Sequence, residues 1–378
     1  MKFLDRIFSI ENKYIGGQNV IVIKLLWIEI IFEVNKHCKV KIKFNSTIEK
    51  LKRENRILIS ENNCFLYNCS LAKPYKDKIN VYLLNDTSQY DRNHIGCKCV
   101  TKSIKELCLK NGMEIFFYDG CIDSIDGDIE KFKTIIEKCD ILILNGEGTL
   151  HNEYSRVFML MNKCLLAKKL GKKLALINTI YQNNSTLHKY LPIFDIISVR
   201  ESLSRNEILK FINVNIRVVP DLSFYPSYNT QVYRDKSINN VVFTDSVIPT
   251  VTTKLRKISE KYNSPFYYMD ESNIPKLSLN ELMNAGKVVT GRFHCLVLCM
   301  KYSIPCLAVK SNTHKIQGIL KDAGLCEYLV DSDSDIEDRI WKFMNSEHSN
   351  FYEKSSYYSK VAITEIDKLF IDIKDLIQ

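Results

Sequence analysis

The chain has no apolar run of membrane-spanning length. Its strongest candidate, Val20 to Val34, is interrupted by Lys24, Glu29 and Glu33, whereas a bilayer core asks for about 20 predominantly apolar residues. A strand followed by an amphipathic helix is the expectation there. A secretory leader is not expected either, because the opening MKFLDRIFSIENKY brings in Asp5 and Glu11 before an apolar region can form. Paired cysteine motifs are missing as well. The 13 cysteines are odd in number and scattered, with no CxxC; Cys97 and Cys99 enclose one residue, Cys64 and Cys69 four. Neither spacing makes a zinc knuckle, so buried, reduced thiols of a cytoplasmic protein are expected, with peripheral contact at the inner membrane left open. No nucleic-acid-binding motif accompanies the basic residues, which are spread along the chain, so nucleic acid is not an expected partner.

What is present is a globular composition, 46% hydrophobic and 26% charged over 378 residues. That length suits two domains of about 150 residues rather than one core. The net charge of +9 favours anionic partners: a nucleotide, a phosphorylated or acidic sugar, or an anionic membrane face.

Along the chain, residues 1–75 read as an accessory segment. Asn19 to Lys24 and Lys39 to Phe44 alternate like strands, 46–55 is helical in pattern, and Arg56 to Ser60 with Cys64 to Cys69 suits a hairpin. From residue 76 strands alternate with helices of ten or more residues, the signature of a parallel sheet covered on both faces. A first Rossmann-like half is expected over 76–228, a polar linker over 225–237, and a second half over 236–347. A final helix over 348–378 carries Ile363, Ile366, Phe370 and Ile373 on one face and is expected to strap the halves together. The expected fold class is therefore α/β and GT-B-like: two doubly wound Rossmann-type halves, an N-terminal β-rich accessory segment and a C-terminal strapping helix.

Chemistry concentrates at strand ends. In DILILNGEGTLHN a buried strand empties into a turn where Gly146 and Gly148 push Glu147 out at the carboxyl edge, with His151 close behind. Asp221 follows the strand IRVV and Pro220 at the same edge, so the two carboxylates face one cleft. By itself Asp221 reads better as a helix or turn cap, and only its pairing with Glu147 favours chemistry. In the second half, VVTGRFHCLVL places Gly291, Arg292 and His294 where a strand gives way to a helix, whose N–H groups and dipole favour an anion. Arg292 can grip an oxyanion with two nitrogens, and His294 can donate to a phosphate or move a proton. KSNTHK repeats the theme: Ser311, Asn312 and Lys315 can bind an anion, although Ser311, Asn312 and Thr313 also suit the cap of the next helix. His94 and Gly96 in NHIGC mark an acceptor or donor loop. Arg200 and Glu201 in VRESLS can pair with each other or cap a helix.

Together ILILNGEGTLH, SVRESLSRNEIL with VVPDLSF, and VTGRFHCLVLCMKYSIPCLAV with THKIQGIL resemble the polysaccharide pyruvyl transferase superfamily over roughly 78–325. That turn is usually all glycine in the superfamily, and Glu147 makes it look more like retaining transferases of the ulosonic acid Kdo. What this resemblance implies is double displacement from a CMP-sugar to a glycan or lipid-linked oligosaccharide acceptor. Asp221 would attack the anomeric carbon, His294 and Arg292 would stabilise the departing CMP, and Glu147 would activate the acceptor hydroxyl. No metal or cofactor is expected, since helix ends and basic side chains can neutralise one phosphate. The alternative is a pyruvyl transferase that uses phosphoenolpyruvate to form a pyruvyl ketal on a sugar.

Overall fold

The computed structural model describes the backbone of four strands within residues 8–44, and residues 74–89, 95–120, 129–153, 155–225, 240–269, 273–331 and 335–378. The helix expected over 46–55, the hairpin over 56–69, His94 and the linker beyond Tyr225 lie outside the described residues.

The chain divides into two units, Met1–Ser70 and Leu71–Gln378. In the first, β1 (Phe8–Ile15), β2 (Gln18–Leu25), β3 (Ile28–Glu33) and β4 (Lys39–Phe44) form an antiparallel sheet in that order. The amphipathic helix expected after the strand at Val20 is instead β3. The β-branched Ile28, Ile30 and Ile31 favour extended backbone, and the short gap after Leu25 lets the chain pair straight back on β2.

The second unit alternates as its periodicity requires. Its first half runs β5 (Ile79–Leu84), α1 (Ile95–Lys110), β6 (Met113–Asp119), α2 (Ile129–Ile136), β7 (Ile141–Asn145), α3 (Ser155–Lys169), β8 (Lys173–Thr179), β9 (Ile196–Val199), α4 (Ser202–Leu209) and β10 (Arg217–Val218). The second half runs β11 (Val241–Ser246), α5 (Pro249–Lys261), β12 (Phe266–Tyr267), α6 (Leu279–Met283), β13 (Lys287–Gly291), α7 (Phe293–Lys301), β14 (Cys306–Val309), α8 (Lys315–Asp322), β15 (Leu329–Val330) and α9 (Ile336–Met344). The last helix is α10 (Ser349–Asp375). The sequence reading missed β15 and α9: the first is two residues long, and the second follows polar residues that hide its start.

Both sheets are parallel throughout, in the orders β10-β9-β8-β7-β5-β6 and β12-β11-β13-β14-β15. Strands β5 and β7, like β8, are buried almost end to end, as expected of strands covered by helices on both faces. In each sheet the winding reverses once, between β5 and β7 in the first and between β11 and β13 in the second. Open α/β sheets bind ligands outside the carboxyl ends of strands at such reversals. Two doubly wound sheets joined in one unit are the GT-B-like layout that the sequence implies.

Helix α10 meets both halves. Tyr358 packs edge-on against Phe224 of the first half, Asp367 takes an ion pair from Lys110, and Asp372 takes one from Arg217. On the other side, Ser359 Oγ donates to Met300 O of α7. Ile366, Phe370 and Ile373 are fully buried.

Candidate active site

The site is built from one residue type at three strand ends. Asn85, Asn145 and Asn178 close β5, β7 and β8 and are all buried. Asn85 Nδ2 donates to Asn145 O at 2.5 Å, and Asn145 Oδ1 accepts from Glu147 N at 3.3 Å and from Asn178 Nδ2 at 3.4 Å. Asn178 Oδ1 accepts from Leu222 N, next to Asp221. A ladder of amides thus ties the backbone at Glu147 to that at Asp221. Sequence reasoning passed over it, although the signal was there: three apolar runs each end in asparagine, and asparagine tolerates the positive φ found at 85 and 178.

On this ladder stand the three residues singled out from sequence. His294, in the first turn of α7, places Nε2 3.2 Å from Glu147 Oε1 and 3.6 Å from Asp221 Oδ2. Residues 147, 221 and 294 therefore converge from both halves on one point. Glu147 is 4% exposed and also accepts from Thr87 Oγ1 at 2.6 Å. Gly96 in α1 faces the imidazole so closely that an added Cβ would lie 2.2 Å from His294 Cγ. Gly146 is similarly tight, with Thr179 Oγ1 2.1 Å from its virtual Cβ, while Gly148 supplies a φ of +66°.

Asp221 is 0% exposed and fully engaged. Ser223 N and Oγ donate to Oδ1 at 3.0 and 2.5 Å, and Arg200 Nη1 donates to Oδ2 at 2.9 Å. Burial pushes its carboxyl up, but His294 and Arg200 outweigh it and hold the group well below the usual carboxylate range. A carboxylate so enclosed and so stabilised is poorly placed to attack a substrate carbon, in contrast to the nucleophile that the resemblance implied. Its partner Arg200 pairs with it rather than with Glu201. The guanidinium lies 4.4 Å from the Phe293 ring centroid, is buried, and leaves Nε without a partner.

Around this core lies a cluster of cations. Arg292 caps α7, but its Nε and Nη2 both donate to Asp245 Oδ2 at the end of β11, so the free two-nitrogen grip expected from sequence is already committed to a carboxylate. Gly291 packs against Ser246, its virtual Cβ 2.3 Å from Ser246 Cβ. Lys315 opens α8 and donates to Asn312 Oδ1 at 3.2 Å, Ser311 in turn donating to the same oxygen. Burial, then Arg200 and Arg292, push its ammonium down to about 7. Thr313 is buried with Oγ1 unpartnered. His151 is buried beside Asn152, and burial followed by Lys315 and Arg200 pushes it down to about 4. It is neutral at pH 7. A cavity of about 650 Å3, lined by Lys76, Lys110 and Lys374 together with Ile79, Gly112 and Asp140, lies at the opposite edge of the first sheet. No group of His, Cys, Asp and Glu suited to a metal ion occurs among the described residues, and none of their helices is long and apolar enough to cross a membrane.

Carboxylates, an imidazole and cations thus meet at strand and helix ends drawn from both halves, and the family whose profile the chain matches makes it a transferase. The chain belongs to the polysaccharide pyruvyl transferase family, whose profile matches residues 62–313, about two-thirds of its length. No curated protein matches it. Among solved structures it is similar to a functionally uncharacterised protein from Klebsiella pneumoniae, at 14% identity and a TM-score of 0.43 over 74% of this chain and 98% of the other. It is also similar to an alpha-glucosyltransferase in complex with UDP, at 11% identity and 0.41 over 79% and 99%. A third is MurG from Acinetobacter baumannii, at 11% and 0.42 over 80% and 99%.

Proposed function

We propose that the chain transfers the pyruvyl group of phosphoenolpyruvate to a sugar, forming a ketal across two hydroxyls. The observation that carries this reading over double displacement is the enclosure of Asp221: with both oxygens engaged, it orients Arg200 and His294 rather than attacking. Phosphate and carboxylate of the donor would face Arg200 and Lys315 at the starts of α4 and α8, with the N-terminus of α7 beside them.

The remaining groups divide the proton work. A proton delivered through the His294–Glu147 pair to the donor methylene carbon leaves C2 electron-poor. A sugar hydroxyl adds there while Glu147 takes its proton, and the C–O bond to phosphate breaks. The second hydroxyl then adds, its proton leaving with the phosphate, so protons balance between one methyl group formed and two hydroxyls consumed.

The finer alternative, transfer of a ulosonic acid from a CMP-sugar, rests on Glu147 in the glycine turn. Calorimetric titration with phosphoenolpyruvate and with CMP separates them. Micromolar binding of phosphoenolpyruvate, worth about −8 kcal/mol, with a loss of ten-fold or more in His294→Ala, is the expected result. Binding of CMP alone would replace the pyruvyl reading with the ulosonic acid one.

A further inference from the structure

Helix α8 is tied to the first half at both ends, and the two ties are chemically different. At its C-terminal end Asp322 Oδ2 accepts from Ser202 N at 2.7 Å, and Ser202 Oγ also donates to Asp322. At its start the contact is denser. His314 N donates to Gln182 Oε1 at 2.8 Å, and His314 Nε2 lies 3.4 Å from Glu201 Oε1 and 3.2 Å from Ser204 Oγ. Glu201 is 0% exposed. It caps α4 through Ser204 N at 3.0 Å, so one carboxylate serves two helices from different halves. The approach is possible only because residue 318 lacks a side chain: a Cβ on Gly318 would lie 2.3 Å from Glu201 Oε2.

His314 is followed directly by Lys315, so whatever fixes the ring fixes where the ammonium begins. The geometry points to Glu201 as a positioning residue, which, through His314 and with Gly318 as the clearance that admits it, clamps the start of α8 and holds Lys315 beside Arg200. The Asp322–Ser202 contact is a tie of stability alone. This division of labour does not depend on which donor the enzyme takes. It also gives a use to a buried glutamate that the proton transfers leave idle. A carboxylate buried at a helix start and engaged by a histidine across an interface holds its partner to a narrow range of positions, because each lost hydrogen bond leaves a buried polar group unsatisfied.

The environment of Lys315 supplies a readout independent of turnover. Burial, Arg200 and Arg292 push it down to about 7, while Glu147 and Cys97 act in the opposite direction. A Lys315 released from the clamp moves toward water and toward the usual lysine value of about 10.4. The test is reductive methylation of the full chain with 13C-formaldehyde and NMR titration of the dimethyl-lysine signals, with the Lys315 signal assigned by its loss in Lys315→Arg. In the wild type that signal is expected to titrate near pH 7. In Glu201→Gln and in the milder Ser204→Ala, which keeps the buried charge count unchanged, it is expected to move up by about one pH unit or more. In Asp322→Asn it stays where it is, although thermal stability falls. An unchanged Lys315 titration in both Glu201→Gln and Ser204→Ala would overturn the inference, as would an equal shift in Asp322→Asn or a wild-type signal titrating near 10.

Discussion

Three side chains of this site are fixed by groups that sequence spacing does not bring together. Gly96 lies almost two hundred positions from His294, yet only a hydrogen at that position lets the imidazole sit between Glu147 and Asp221. Gly96→Ala is therefore expected to displace the ring. Overpacking of this kind costs about 1–3 kcal/mol, and activity should fall much further than the melting temperature, a contrast read by pairing kinetics with thermal denaturation. Asp221→Asn leaves Arg200 buried beside an uncharged partner, and breaking a buried pair costs about 3–5 kcal/mol. Because the folded carboxyl lies below its unfolded value, its contribution is fully present above about pH 4 and lost as pH falls through the folded value. Urea denaturation of wild type and variant, compared at pH 7 and in acid, shows a gap that narrows in acid. For Lys315 the charged form is the costly one, although the slope with pH has the same sign. With its value pushed down to about 7, it costs stability while protonated, so stability rises with pH between about 7 and 10, and Lys315→Met flattens that rise. Donor capture needs the charged form, so kcat/KM should fall as pH climbs through about 7, and Lys315→Arg should remove that inflection while leaving the donor's own ionisation in place.

The helices and strands explain which features were legible beforehand. Alternation of buried strands with amphipathic helices made the α/β class readable, because parallel strands covered on both faces have to be apolar along their whole length. Glu147, Asp221 and His294 were legible because each follows a strand or opens a helix. What escaped were pairings across the fold. Asp245 takes Arg292 from 47 positions away, and Arg200 reaches Asp221 past the adjacent Glu201. The ladder of Asn85, Asn145 and Asn178 repeats by topology rather than by sequence period. Helix α7 shows what such coupling does. His294 opens it, and Lys301 in its last turn donates to the carbonyls of Ser223 and Tyr225, which follow Asp221. One helix thus fixes both the imidazole and the turn that holds its carboxylate. Lys301→Met leaves those carbonyls unpartnered, at a cost of about 1–3 kcal/mol. The expected kinetic effect is a lower kcat with a smaller change in donor KM, and Lys301→Arg should restore part of it.

The last helix of the second unit belongs to neither sheet alone. Phe370 is fully buried on α10, and Phe370→Ala is expected to cost about 3–5 kcal/mol. If α10 couples the halves, calorimetry of this variant shows a single lowered transition; two separated transitions would mean that the halves unfold independently. The same helix sets the order of events during synthesis. Lys110, Arg217 and Phe224 have left the ribosome long before Tyr358, Asp367 and Asp372 are made. At roughly 5–20 residues per second, the first sheet waits on the order of ten seconds or more with the surface meant for α10 uncovered. A chimera that exchanges second halves between family members therefore has to bring its own matching final helix.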